Sequence, residues 1–385
     1  MIPYGHQNIV QDDIEAVVKV LESDWITQGP VIEQFEQAVA GHCGVAHGIA
    51  MNSATSALHS ACLALGLGPG DHLWTTPNTF VASANCGLYC GARVNFVDID
   101  PHTYNMSAAV LEARLVEAEQ AGMLPKIVVP VHFAGQSCNM REIRSLADRY
   151  GFHIIEDASH AIGGKYLDVS VGSCRHADIT VFSFHPVKII TTGEGGMALT
   201  NDPELAMRLG ELRNHGITRD LNRMPAEPDG AWHYQQVGLG YNFRITCIQA
   251  ALGLSQLARL DEFVRRRNDI AARYDKLLSG MPVTTPWQDP DCYSAFHLYV
   301  IRLRLKHDMQ LRSSIFDRMR TAGIGVNVHY IPVHTQPYYR NLGFVQGDFP
   351  EAEQYYREAI TLPLFPDLSE NEQDEVVTAL QEALV

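Results

Sequence analysis

Ile179-Thr180-Val181-Phe182-Ser183-Phe184-His185-Pro186-Val187-Lys188-Ile189-Ile190-Thr191-Thr192-Gly193-Glu194-Gly195-Gly196-Met197-Ala198-Leu199-Thr200 joins two apolar runs through a lysine and a glycine-rich turn. Ile179–Phe182 has the β-branched and aromatic make-up of a buried strand, and Met197–Thr200 reads as the next one. Lys188 lies between them, with no other charge before Glu194. A surface position is the plain reading of any lysine, but this one follows a buried-type strand and enters a turn of hydroxyls and glycines. Apolar surroundings lower a lysine pKa and make the amine a nucleophile, as a carbonyl cofactor requires for Schiff-base chemistry. The glycines let backbone pass close to a bound ring. A phosphate-binding loop is excluded, because Lys188 precedes the glycines instead of following them.

The same alternation extends in both directions. Strand candidates are 45–51, 72–75, 94–97, 127–131, 153–156, 179–182 and 197–200, separated by amphipathic stretches such as 55–65, 107–120, 140–150 and 203–213. Before them, 11–22 and 31–39 show helical periodicity. Such β-α alternation predicts an α/β fold: a mostly parallel sheet covered by helices, with ligands at the C-terminal ends of the strands. Residues 216–240 lose all periodicity and read as a long loop or interface arm. Long helices follow at 246–260 and 261–278. Beyond Pro282 a smaller α+β unit is expected, with strands near 297–305 and 325–328 and helices near 309–320 and 370–384. The expected division is 1–245 for a large unit with an N-terminal arm, and 246–385 for the connecting helices and small unit.

The composition narrows the class. With 29 Lys+Arg against 44 Asp+Glu, the formal charge of −15 argues against nucleic acid or an anionic membrane as partner. The eight cysteines include no Cys-x-x-Cys pair and read as buried thiols in a reducing compartment. Cys86 and Cys90 lie one helical turn apart without a nearby histidine, so core packing is expected there instead of zinc. Neither a signal peptide nor a membrane-spanning run is visible, and a cytoplasmic enzyme is expected.

Other residues could complete a site around Lys188. Asp157 ends the run at 152–157, where an acid can either cap a helix or hold the proton of a pyridine nitrogen. Asn52-Ser53-Ala54-Thr55-Ser56 lies between a strand and a helix; one hydroxyl suffices as an N-cap, and several together suit an anion. Ser183 can add a hydroxyl, and Phe80 can pack in the core or stack on a ring.

In chain order these segments resemble the DegT/DnrJ/EryC1/StrS sugar aminotransferases, a branch of the fold-type I pyridoxal phosphate enzymes. The resemblance rests on Asn-Ser-Ala-Thr-Ser-Ala-Leu at 52–58, Thr-Thr-Pro-Asn-Thr-Phe-Val-Ala at 75–82 and Phe-Val-Asp-Ile-Asp at 96–100. It continues through Glu-Asp-Ala-Ser-His-Ala at 156–161, Ser-Phe-His-Pro-x-Lys at 183–188 and Thr-Thr-Gly-Glu-Gly-Gly at 191–196. Gly-Tyr-Asn-Phe-Arg at 240–244 and Val-His-Tyr at 328–330 complete it. It implies that Lys188 is the lysine bonded to pyridoxal 5'-phosphate and Asp157 the partner of the ring nitrogen. Ala54, Thr55 and Ser183 would contact the cofactor, with Phe80 stacked on its ring and His160 near its phenolic oxygen. Asn242 would reach the phosphate from a neighbouring subunit, which implies a homodimer with shared sites.

Within the family the wording is most similar to the nucleotide-sugar C4 aminotransferases of pseudaminic acid biosynthesis. That likeness implies a UDP-4-keto-6-deoxy-HexNAc sugar as acceptor and L-glutamate as amino donor. Tyr4, Asp24, Trp25, Ile26, Thr27, Asn327, Val328, His329 and Tyr330 would then contact the sugar nucleotide, although Trp25 and Tyr330 could equally be packing residues. Arg219 and Arg244 are both candidates to meet the diphosphate or the donor carboxylates. Sugar dehydratases of the family carry histidine in place of the lysine, so Lys188 argues for amination. A cofactor-binding regulator would need a DNA-binding extension, for which family-like sequence from Tyr4 onward leaves no room. An aminotransferase for ordinary amino acids is disfavoured by the whole motif order.

Overall fold

A computed structural model describes residues 1–304 and 309–385. Its centre is a seven-stranded sheet built from β1 (His47–Met51), β2 (His72–Thr75), β3 (Arg93–Phe96), β4 (Ile127–Val129), β5 (His153–Asp157), β6 (Ile179–Ser183) and β7 (Gly196–Thr200). The strand order is β1-β7-β6-β5-β4-β2-β3. Six strands run parallel, and β7 alone is antiparallel to both of its neighbours. β6 is buried at every position, as a continuous apolar run requires when helices cover both faces.

The helices around the sheet are α1 (Gln11–Leu21), α2 (Pro30–Cys43), α3 (Ala54–Ala64), α4 (Ala82–Tyr89), α5 (Ala108–Ala121), α6 (Met140–Tyr150) and α7 (Pro203–Arg213). Their ends obey local rules. Ser53, Ser107 and Asn139 cap the starts of α3, α5 and α6, and left-handed glycines close α2, α5 and α6. Cys62, Cys86 and Cys90 pack with Leu58, Ala61 and Leu73 in one apolar cluster on the sheet.

Next come α8 (Cys247–Leu257) and α9 (Leu260–Leu277). One end of α9 places Phe263 and Val264 in the core beside β6, while its other end places Ile270 and Tyr274 in a separate core. That second core is built on a three-stranded sheet of Val283–Thr284, Tyr299–Leu303 and Ala359–Leu362, backed by helices at Met309–Thr321 and Glu370–Leu384. Ile2 belongs to it as well, bridging to Ile324, so the N-terminal residues pack on the smaller unit.

One expectation for this unit needs correction. No strand forms at 325–328, where only isolated bridges occur at Ile324 and Asn327; the third strand is Ala359–Leu362. Leu305, expected at the end of its middle strand, lies outside the described residues. Residues 216–240 form an arm whose pairing is limited to Ile217–Thr218 against Gln235–Gln236. Among the described residues, no helix is long and apolar enough to cross a membrane.

Candidate active site

β5 and β6 are parallel, so their C-terminal ends emerge side by side, and Asp157 and Ser183 end these two strands. The segment from Phe184 to Gly195 then turns the chain back into β7. It is tied by hydrogen bonds from the Phe184 amide to the Gly195 carbonyl (2.9 Å) and from the Thr192 amide to the Phe184 carbonyl (3.0 Å). Gly193 supplies a left-handed residue at φ +80°. Lys188 projects from this constrained turn, as its sequence setting suggested.

The start of α3 approaches the same point. Ser53 caps the helix by accepting from the Ser56 amide at 3.1 Å, and Ser56 donates to the Asn52 side chain at 2.7 Å. A Cβ placed on Gly196 would lie 2.4 Å from the Ala54 nitrogen and 2.5 Å from the Ser53 carbonyl carbon. Only glycine there lets β7 pass close enough to bring the α3 N-terminus beside the lysine turn. The unpaired amides of that first turn and the helix dipole make a site for a phosphate group.

These pieces open on one cavity of about 820 Å³. Asn52 to Ser56 line one part of it; Phe80, Asp157, His160, Ser183 and Lys188 line another, together with Tyr4, His297, His329 and Tyr330. Lys188 is partly accessible from the cavity. Its enclosure by protein nonetheless lowers its pKa from 10.5 to about 8 by desolvation, against the opposing pull of the Asp157 carboxylate. Asp157 is 5% exposed, and its oxygens accept from the Ser83 hydroxyl (2.6 Å) and the Ser159 amide (3.1 Å). Burial holds His160, His297 and His329 well below the ordinary imidazole pKa, so all three are neutral at physiological pH. His160 Nδ1 accepts from the Ala134 amide at 3.3 Å, which leaves its Nε2 facing the Tyr330 hydroxyl at 3.1 Å.

The family is decided by the length of the match. The profile of the DegT/DnrJ/EryC1/StrS aminotransferase family matches residues 7–381. The chain belongs to this family. The Bacillus subtilis (strain 168) spore coat polysaccharide biosynthesis protein SpsC is 40% identical over 385 residues, covering 99% of this chain and 96% of that protein. A UDP-4-amino-4,6-dideoxy-N-acetyl-beta-L-altrosamine transaminase of Campylobacter jejuni is 39% identical over 371 residues, covering 96% and 94%. Among solved structures, Helicobacter pylori PseC, an aminotransferase involved in the biosynthesis of pseudoaminic acid, superposes with a TM-score of 0.91. It is 30% identical, and the match covers 100% of this chain and 99% of PseC. The protein is therefore a sugar aminotransferase of fold type I, and its cofactor is pyridoxal phosphate.

The residues present fit that cofactor. One cavity offers an amine of lowered pKa, a carboxylate buried against hydroxyl and amide donors, and a helix N-terminus with glycine beneath it. Phe80 stands 58% exposed at its rim, an unusual position for phenylalanine unless something covers its ring.

The remaining expected residues lie elsewhere. Asp24, Trp25, Ile26 and Thr27 are exposed, and none lines the Lys188 cavity; their segment is held to the start of α8 by the Cys247 amide donating to the Ile26 carbonyl. Asn242 is also exposed, outside the cavity, in an antiparallel bridge with Asn214. Asn327 and Val328 stop short of the cavity, which the chain enters at His329. Arg219 is exposed, and Arg244 donates to Asn214 at 2.5 Å beside a separate hollow.

Sequence reasoning missed Ser83 and His297. Ser83 lies inside a helix, where a serine carries no signal of its own. His297 stands at the head of the strand-like run Leu298–Leu303, and a histidine at that strand end was the available clue.

Proposed function

We propose that the protein is a UDP-sugar C4 aminotransferase of pseudaminic acid biosynthesis. Its acceptor would be UDP-2-acetamido-2,6-dideoxy-β-L-arabino-hex-4-ulose, its donor L-glutamate, and its working form a cytoplasmic homodimer with shared sites. The observation that carries the chemistry is the meeting of Lys188, Asp157 and the α3 N-terminus on one cavity. The likeness to the Campylobacter transaminase and to PseC over nearly the whole chain supports the sugar.

Bound pyridoxal phosphate supplies an aldehyde that exchanges amino groups and a ring that withdraws electrons from the carbon losing its proton. Lys188 would hold it covalently and, once free, would take up a proton from the donor's α-carbon on its amine; an amine with pKa near 8 is suited to both tasks at neutral pH. Asp157, held by Ser83 and Ser159, keeps a proton on the ring nitrogen. The first turn of α3 would hold the phosphate, and Phe80 would pack against the ring. Asn242 completes the phosphate site from the partner subunit.

The 40% identity to SpsC favours a second reading, amination of a different nucleotide 4-keto sugar, such as a precursor of perosamine, 4-amino-arabinose or bacillosamine. One assay separates the two. The protein is loaded with pyridoxamine phosphate and offered UDP-, GDP- and dTDP-4-keto-6-deoxy sugars, and the return of the aldehyde absorbance is followed. The UDP-HexNAc ketone should react fastest; preference for a dTDP or GDP sugar would replace the first reading by the second. Borohydride reduction of the holoenzyme should fix the pyridoxyl group on the Lys188 peptide.

A further inference from the structure

His297 stands against the functional lysine, and the backbone that carries it is immobilised to an unusual degree. Its Nε2 lies 3.4 Å from Lys188 Nζ, and no other side chain among the described residues is within hydrogen-bond reach of that amine. The carboxylate of Asp157 is taken up by Ser83 and Ser159. His297 is 4% exposed, its ring centroid is 4.4 Å from that of His160, and its Nδ1 has no partner among the described residues.

The preceding residue, Phe296, sits at φ +44°, a left-handed conformation that is strained for a bulky aromatic side chain. Surrounding contacts hold it there. The Ala295 amide donates to the Gly135 carbonyl at 3.0 Å, and the Phe296 amide donates to the Ser294 hydroxyl at 3.1 Å. Gly135 comes so near that a Cβ on it would lie 2.7 Å from the Phe296 nitrogen. From α9, Arg267 Nη1 donates to the carbonyls of Phe296 (3.2 Å), His297 (3.4 Å) and Leu364 (3.1 Å). Arg267 is itself 1% exposed, without a carboxylate partner among the described residues. A buried cation spent on carbonyls, next to a strained residue, is an expensive way to place one imidazole.

We propose that His297 is the positioning residue for Lys188: through Nε2 it accepts a hydrogen bond from the ammonium form, retaining the free amine in the cavity and raising its proton affinity. Accepting at Nε2 places the ring proton on Nδ1, which is buried without an acceptor among the described residues, so the contact to Lys188 is the ring's one hydrogen bond. The charged and titratable groups around the pair are Asp157, His160, His185, Glu194, His329, Tyr330 and Arg267. Asp157 is the anion that favours protonation of Lys188 and the buried histidines are neutral, so the hydrogen bond to His297 is the local stabiliser besides Asp157. The inference rests on reading Lys188 as the cofactor-binding amine.

The test measures the titration of Lys188 directly. Competitive acetylation of the full-length protein across pH 6 to 11 is read at the Lys188 peptide by mass spectrometry, after removal of the cofactor and again in the pyridoxamine-phosphate-loaded form. His297→Leu should move the midpoint down by about one pH unit, a tenfold change, because a hydrogen bond to a charged group is lost without water replacing it. His297→Gln, whose amide oxygen can accept, should stay near the parent. An unshifted midpoint in folded His297→Leu, or an equal shift in both variants, overturns the proposal. If His297→Leu does not fold, ¹⁵N-histidine spectra decide: the His297 Nε2 signal, assigned by its absence in His297→Gln, should titrate with Lys188 in the parent and not in Lys188→Met. A signal insensitive to Lys188 overturns the proposal too. A pyridoxyl group mapped by borohydride to another lysine would instead overturn the reading of Lys188 and leave the titration result standing.

Discussion

Replacing Lys188 with Met should stabilise the cofactor-free protein at neutral pH while abolishing its activity. The fold lowers the lysine pKa from 10.5 to about 8 by burial, so it disfavours the ammonium that the unfolded chain carries freely. Between these two values the unfolded state binds more protons than the native state, and stability therefore rises with pH. At pH 7 both states are mostly protonated, and the native protein bears nearly the whole difference. A shift of about 2.5 units corresponds to roughly 3.4 kcal/mol. The side chain is partly accessible from the cavity, and screening there trims the effect to about 2–3 kcal/mol. Methionine fills similar volume without a charge and removes the penalty. Urea unfolding of the stripped parent and of Lys188→Met, from pH 6.5 to pH 10.5, provides the assay. The variant should be more stable by about 2–3 kcal/mol at pH 7, and the gap should narrow steadily above pH 8 and nearly close by pH 10.5. A gap that does not change with pH would place its origin in packing and refute the account of the lysine.

Glu156, on β5 beside Asp157, offers a complementary case: burial raises its pKa from 4.5 to about 7, partly offset by the Thr180 hydroxyl donating at 2.6 Å. Here the native state binds the extra proton, so the stability it provides is full below pH 4.5 and lost as pH rises through 7. Glu156→Gln should accordingly gain about 3 kcal/mol over the parent at pH 8.5 and little at pH 4.5, measured by urea unfolding. Ser83→Ala removes the 2.6 Å hydrogen bond to Asp157 and should weaken pyridoxal phosphate binding about tenfold or more, read by absorbance titration. Gly196→Ala drives a methyl group into the backbone of Ser53 and Ala54; it should destabilise by about 1–3 kcal/mol in thermal melts and weaken cofactor binding as well. If sites are shared as proposed, mixing inactive Lys188→Ala with inactive Asn242→Ala subunits should restore about a quarter of parental activity, since half of the dimers are mixed and each carries one complete site. No recovery after verified subunit exchange would count against sharing.

How far the sequence could be read depended on whether a signal was local. The strands of the large sheet were legible because burial on both faces forces short apolar runs, and those at 72–75 and 179–182 fall within a residue of the structure. Lys188 was legible because its turn must pair β6 with an antiparallel β7, which needs the glycines at 193–196. The strand expected at 325–328 failed for a non-local reason. That segment is flanked by Ile2 and Thr361, residues far away in the chain, and bonds to each only through single bridges. Ala359-Ile360-Thr361-Leu362 gave no separate signal because it continues directly from the helix Pro350–Glu358, yet it pairs fully with Tyr299–Arg302. His297 escaped notice because its role depends on Arg267 and Gly135, which only the fold brings to it.

The same distinction explains why the chemistry of this protein is better defined than its sugar. Amine, carboxylate and helix N-terminus come from the ends of β1, β5 and β6, which one sheet holds in fixed register, so one chain suffices to assemble them. The residues expected to touch the sugar nucleotide divide differently. Tyr4, His329 and Tyr330 stand at the cavity, where the N-terminal residues are anchored to the smaller unit by Tyr4 accepting from the Leu364 amide. Asp24 to Thr27 and the arm at 216–240 are outside it, and they carry large exposed apolar side chains: Trp25 at 57%, Trp232 at 74% and Leu239 at 79%. Apolar surface of that size calls for a covering partner. In the proposed dimer these segments would cover one another and bring Asn242 to the neighbouring cavity. Sugar selectivity would then be a property of the pair of subunits, and exchanging 216–240 between relatives should change which nucleotide sugar is accepted while Lys188 titrates as before.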